Sequence, residues 1–113
     1  MGDRISLQFK KKWKKDAFNL KDTTDKSVVL FSHWQGMDLK EKAEKYIKEL
    51  KKTATKNGIS YPLDRLEPQT VMVDFIRVIT KDLKRVDSDL YLAFSENDGD
   101  NSDNGHFIID LDE

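Results

Sequence analysis

The sequence predicts an α+β fold in the order β-β-α-α-β-β: a four-stranded, mainly antiparallel sheet with two helices packed on one face. Runs of period-two alternation lie towards both ends of the chain, and two stretches with helical spacing lie between them. No repeat and no linker interrupts the 113 residues, so residues 1–113 are expected to form a single domain.

The first strand is read from RISLQFK, where Ile5, Leu7 and Phe9 point one way and Arg4, Ser6, Gln8 and Lys10 the other. A polar stretch follows from Lys11 to Lys26, broken by Trp13, Ala17, Phe18 and Leu20. The next strand is SVVLFSHW, Ser27 to Trp34, apolar on both faces and therefore expected in the sheet interior. Gly36 ends it and Asp38 opens a helix, with Glu41 at capping-box spacing. Leu39, Ala43, Tyr46, Ile47, Leu50 and Ala54 form that helix's apolar stripe, and Asn57-Gly58 is its stop. Pro68 suits the first turn of a second helix, whose stripe is Met72, Phe75, Ile76, Ile79 and Leu83. DLYLAFS is the third strand, with Leu90, Leu92 and Phe94 on one face and Tyr91 and Ala93 on the other. HFIIDLD is the fourth, with Phe107, Ile109 and Leu111 inward and His106 and Asp110 outward. The polar run ENDGDNSDNG joins these two as a long loop with two turn dipeptides.

Composition removes several function classes. The chain has no cysteine, so disulfides, thiolate zinc sites and a cysteine nucleophile are excluded. The start MGDRISLQF has no apolar signal region, and no apolar run approaches the ~20 residues of a membrane helix. The expected compartment is the cytoplasm, without membrane partners. The formal net charge of −1 hides an asymmetry. Residues 1–15 carry Arg4 and five lysines against Asp3, while residues 87–113 carry seven aspartates, two glutamates and no Lys or Arg. Such blocks serve partner surfaces or screen each other.

Two segments together resemble a group of small uncharacterised microbial proteins: the start MGDRISLQF, and VVLFSHWQG at the end of the second strand. That group opens with Gly-Asp/Asn-Arg before a strand and carries an aromatic-X-His-Trp-X-Gly segment before a helix. The matching positions are Gly2, Asp3, Arg4, Phe31, His33, Trp34 and Gly36. The resemblance spans about the first third of the chain and implies no activity.

Three clusters are candidate sites. In KKKWKK, Lys10, Lys11, Lys12, Lys14 and Lys15 surround Trp13. Lysines with an interleaved aromatic suit phosphate contact and base stacking on single-stranded nucleic acid. The weightier structural alternative is the solvated, edge-protecting end of a strand. In HWQG, His33, Trp34, Gln35 and Gly36 sit at a strand-to-helix junction, a natural place for a ligand or partner pocket. Here the alternative has Trp34 in the core and His33 bonded to a backbone carbonyl. His106, the other histidine, would complete a metal site or small-ligand active site with His33 if the second and fourth strands were neighbours. Last, Asp98, Asp100 and Asp103 in the acidic loop suggest weak calcium binding. The loop lacks glycine at the sixth position and a carboxylate at the twelfth, which favours a solubilising hairpin loop. No phosphate loop, nucleophile elbow or paired metal-spaced histidines support an enzyme.

The reading is a small non-enzymatic binding or interaction module, without a cofactor, working through the sheet end around Trp13, His33 and Trp34. Its partner is an unknown protein or a second copy. The alternatives are a weak single-stranded nucleic-acid binder through Lys10–Lys15 and an enzyme around His33 and His106.

Overall fold

The computed structural model describes residues 3–13, 21–57, 66–83 and 89–111, with the backbone alone for 53–57. Its elements are β1 (Ile5–Trp13), β2 (Thr23–Lys26), β3 (Val29–Ser32), α1 (Met37–Asn57), α2 (Pro68–Thr80), β4 (Leu90–Ala93) and β5 (His106–Asp110). β1 lies at the centre of the sheet. It pairs antiparallel with β2 and β3 and parallel with β5, and β3 pairs antiparallel with β4.

β2 and β3 are two halves of one bulged strand. Lys10 faces Lys26, and Leu7 faces Leu30, so the partner of β1 holds one extra residue between these pairs. The bulge is stitched at Ser27, whose N–H donates to the Phe9 carbonyl at 2.9 Å. Phe9 N–H returns a bond to Ser27 Oγ at 2.9 Å, and Gln8 Nε2 donates to the Ser27 carbonyl at 3.0 Å. The expected four strands are therefore present, with β2 as an outer arm that the polar sequence TTDK did not announce. β1 correspondingly runs on to Trp13.

Alternation along β1 puts Ile5, Leu7 and Phe9 on the helical face, where they are fully buried. Leu30, Ile109 and Leu111 join them from the neighbouring ribbons. The helices close this layer with Leu39, Ala43, Ile47 and Leu50 from α1 and Val71, Met72 and Phe75 from α2. Phe75 meets Phe9 edge-to-face with centroids 5.6 Å apart. Pro68 opens α2, where a missing N–H breaks no helical bond. The helix ends at Thr80, so Leu83 is exposed instead of extending the buried stripe. Phe94, expected to continue the β4 face, lies beyond the strand and is 91% exposed. Gly58 and the residues from there to 65 lie outside the described residues.

The opposite face of β1 is polar yet buried: Ser6 and Gln8 are shielded from water. The acidic loop folds back over them, where a solvated hairpin loop was the favoured expectation. Asn104 N–H donates to the Arg4 carbonyl at 2.9 Å, and Ser6 N–H to the Gly105 carbonyl at 3.1 Å. Gly99 lies against the stacked rings of Phe31 and Tyr91, where a Cβ would collide with both. The two charged ends of the sequence meet within one chain. Arg4 Nε is 3.2 Å from Asp100, and Lys10 Nζ is 3.3 Å from Asp110. Among the described residues, no helix is long and apolar enough to cross a membrane.

Candidate functional site

The chain leaves β3 through a tight turn that one carboxylate holds. Asp89, just before β4, accepts at Oδ1 from Ser32 Oγ (2.8 Å), His33 N–H (3.1 Å) and Trp34 N–H (3.0 Å). Its Oδ2 accepts from Gln35 Nε2 at 2.9 Å, and Lys42 Nζ holds the other end of that amide at 2.9 Å. Burial alone would raise the Asp89 pKa, but the bonds from Gln35, Ser32, Trp34 and His33 outweigh it and hold the carboxyl below its ordinary value. Charge-assisted bonds to successive groups make the turn stiff.

That stiff turn projects an aromatic side chain into solvent. Trp34 is 57% exposed, so it is not a core residue. Behind it runs an aromatic series: His33 lies 5.6 Å from Trp34 and 5.1 Å from Tyr91, and Tyr91 stacks on Phe31 at 4.9 Å. Tyr91 Oη accepts from Asp100 N–H at 2.9 Å, which ties the loop to the same series.

Asp3 and Arg4 belong to this site in space. Asp3 N–H donates to the His33 carbonyl at 2.6 Å, and Gly36 N–H to the Asp3 carbonyl at 2.9 Å. Gly36 has φ +56 and no room for a Cβ, because the Asp3 carboxylate fills that space. Gly36→Ala should therefore cost about 1–2 kcal/mol, from the left-handed backbone and the displaced Asp3. Urea unfolding measures this; an unchanged midpoint would count against a constrained turn.

Comparison with family models, curated proteins and solved structures returned no match.

Lys10–Trp13, the described part of the lysine run, form the end of β1 that pairs with β2. Trp13 Nε1 donates to Asp25 at 2.6 Å, and Lys11 Nζ sits 5.5 Å from the Trp13 ring centroid. With Lys10 bonded to Asp110, these groups have carboxylate or ring partners. Lys14 and Lys15 lie outside the described residues.

The sheet order separates the histidines, because β1 stands between β3 and β5. The neighbouring strands that a shared His33–His106 site required are therefore not adjacent. His106 instead bonds Ser6 Oγ through Nδ1 at 2.7 Å and Gln8 Oε1 through Nε2 at 2.9 Å. Asp100 and Asp103 converge on the Arg4 guanidinium, a cation the chain itself supplies. No group of three or more His, Cys, Asp or Glu suited to a metal occurs among the described residues.

Residues that sequence reasoning did not single out include Asp89, Tyr91, Ser6, Gln8 and Asn101. Asp89 had one local hint, a carboxylate at the mouth of a strand, but its partners are 54–57 positions away.

Proposed function

We propose that the chain is a non-enzymatic protein-interaction module that presents Trp34 as its anchor. The observation that carries this reading is an exposed indole on a turn locked by four hydrogen bonds to Asp89. A rigid exposed Trp loses little conformational entropy on binding and buries a large area, the character of an interface hot spot. Met37, three residues on, adds a second exposed apolar side chain. The residues of the family resemblance, Asp3, Arg4, Phe31, His33, Trp34 and Gly36, read well as the framework of this turn.

Catalysis has less to support it. Ser6, the hydroxyl beside His106, is wholly buried and out of a substrate's reach. In the nucleic-acid reading through Lys10–Lys15, phosphate would compete with Asp110 for Lys10, and Trp13 is already bonded to Asp25.

Trp34→Ala tests the proposal. Its unfolding free energy should stay within about 0.5 kcal/mol of the parent, as for an exposed residue, while immobilised protein loses the partner that the parent retains from a cell extract. An identical captured set would sink the reading. Titration of the Trp34→Phe protein, whose remaining indole is Trp13, with a mixed-sequence single-stranded oligonucleotide separates the alternative. Tryptophan quenching that saturates at physiological salt would promote the basic arm over Trp34.

A further inference from the structure

The sheet's two ends differ in how they are protected. β5 carries Asp110 and lies beside Lys40 and Glu44 of α1, with Lys40 Nζ 5.4 Å from the Phe107 ring centroid. Charges of this kind keep an edge strand from pairing with another chain. β4, Leu90–Ala93, has no charge and no proline, and among the described residues only β3 pairs with it. Leu92 is 54% exposed, and Phe94 follows it almost bare. Beside them a cleft of about 320 Å³ is lined by Leu30, Ile76, Leu90, Tyr91 and Leu92. An open, uncharged edge with an apolar groove and an exposed aromatic is a pairing surface.

We infer that β4 pairs antiparallel with β4 of a second copy about a two-fold axis, joining two sheets into one. The pleat narrows the register. With both helical layers on the same side of the joined sheet, facing residues must share a face. Every register with a residue on the axis satisfies this, and the two that pair three residues of β4 put Tyr91 or Leu92 there. The Leu92 register sets Tyr91 opposite the partner's Ala93 and brings Phe94, just past the strand, towards the partner's Leu90. Each Phe94 then covers the other copy's groove, while Asp89 has no residue of the partner's β4 directly opposite it. The Tyr91 register leaves Phe94 unused and brings Asp89 against Ala93. A second copy is therefore the occupant that both the groove and the exposed ring fit. A net charge of −1 adds little repulsion between copies.

Sedimentation velocity on the full chain tests this. The parent should move from monomer to twice the monomer mass as concentration rises. Leu92→Lys should abolish the shift, and Ile108→Lys on β5 should not. Should Leu92→Lys fold poorly, Phe94→Lys serves instead, because that side chain touches almost nothing in the monomer. The absence of native cysteine permits a second readout: Leu92→Cys should oxidise to a linked dimer, since facing β residues lie within disulfide reach, while Ile108→Cys should not. A parent that stays monomeric to about 1 mM, a dimer unaffected by both lysine variants on the β4 side, or linking at Ile108 rather than Leu92 overturns the proposal. Trp34→Ala should leave the dimer intact, so failure here is distinguishable from failure of the Trp34 anchor.

Discussion

Asp89→Ala should lower the melting temperature by roughly 10 °C, following from about 2 kcal/mol of lost stability in a domain of this size. The substitution removes one acceptor group from four donors at once. Ser32 Oγ is buried and would have to find another partner, while Trp34 N–H can turn to water. A single hydrogen bond to a charged group is worth about this much, but part of the carboxylate is solvated, which trims the total. Asp89→Asn should lose about half as much. Its Oδ1 still serves Ser32, His33 and Trp34, but its amide then confronts the Gln35 amide. Gln35 cannot turn over cheaply, because Lys42 holds its carbonyl oxygen. The sign of the pH effect follows as well. A carboxyl held below its ordinary value in the folded state contributes stability above the unfolded value of about 3.9 and loses it as pH falls through the folded pKa. Urea midpoints of the three proteins between pH 7 and pH 3 measure both effects. An Asp89→Ala midpoint equal to the parent's would mean that the turn holds its shape without the carboxylate, and Trp34 would lose its claim to preorganisation.

The helical layer was legible in the sequence because local period carries it. Ile5, Leu7 and Phe9 repeat every second residue, and Leu39, Ala43, Ile47 and Leu50 repeat at helical spacing, and all are buried. Apolar patterns overran the ends of elements, however. Leu83 and Phe94 continue stripes whose helix and strand have already stopped. Trp34 follows a buried run and reads as its last member, until the turn at Asp89 swings it outward. β2 was invisible for a different reason. TTDK contains no apolar residue, and only pairing with Lys10–Trp13, many residues earlier, makes it a strand. Alternation along β1 sets Ser6 and Gln8 on the face away from the helices, where a half-buried strand would leave them in water. What no local signal revealed is the loop that returns about a hundred residues later to cover them.

That covered face should make the fold sensitive to mild acid. Gln8 Nε2 is committed to the Ser27 carbonyl, so its Oε1 must accept from His106, which puts the imidazole proton on Nε2. Nδ1 is then bare and accepts from Ser6 Oγ–H, and Ser6 Oγ accepts from Asn101 Nδ2 at 2.8 Å. Every donor in the chain from Asn101 to Ser27 points the same way, and the chain closes only around a neutral ring. A second ring proton would face Ser6 Oγ and force its hydrogen away from its acceptor. Burial lowers the His106 pKa, Glu96 opposes by favouring the cation at 3.9 Å, and Lys26 lowers it further. The unfolded chain therefore binds the proton more readily than the folded one. Stability from this ring is complete above about pH 6.5 and is lost as pH falls from there towards the folded pKa, with a slope of at most about 1.4 kcal/mol per pH unit. His106→Gln should flatten the dependence between pH 7 and pH 5. Glu96→Gln should deepen the loss, because it removes the charge that favours protonation, and Lys26→Gln should soften it. Denaturant midpoints across that range read all four proteins. Were the slope to persist in His106→Gln, or the Glu96 and Lys26 variants to shift it in the same direction, the acid sensitivity would belong to another group. With the predicted opposite shifts, His106 is the latch that keeps the acidic loop seated on β1 and, through Asp100 and Tyr91, backs the aromatic series beneath Trp34.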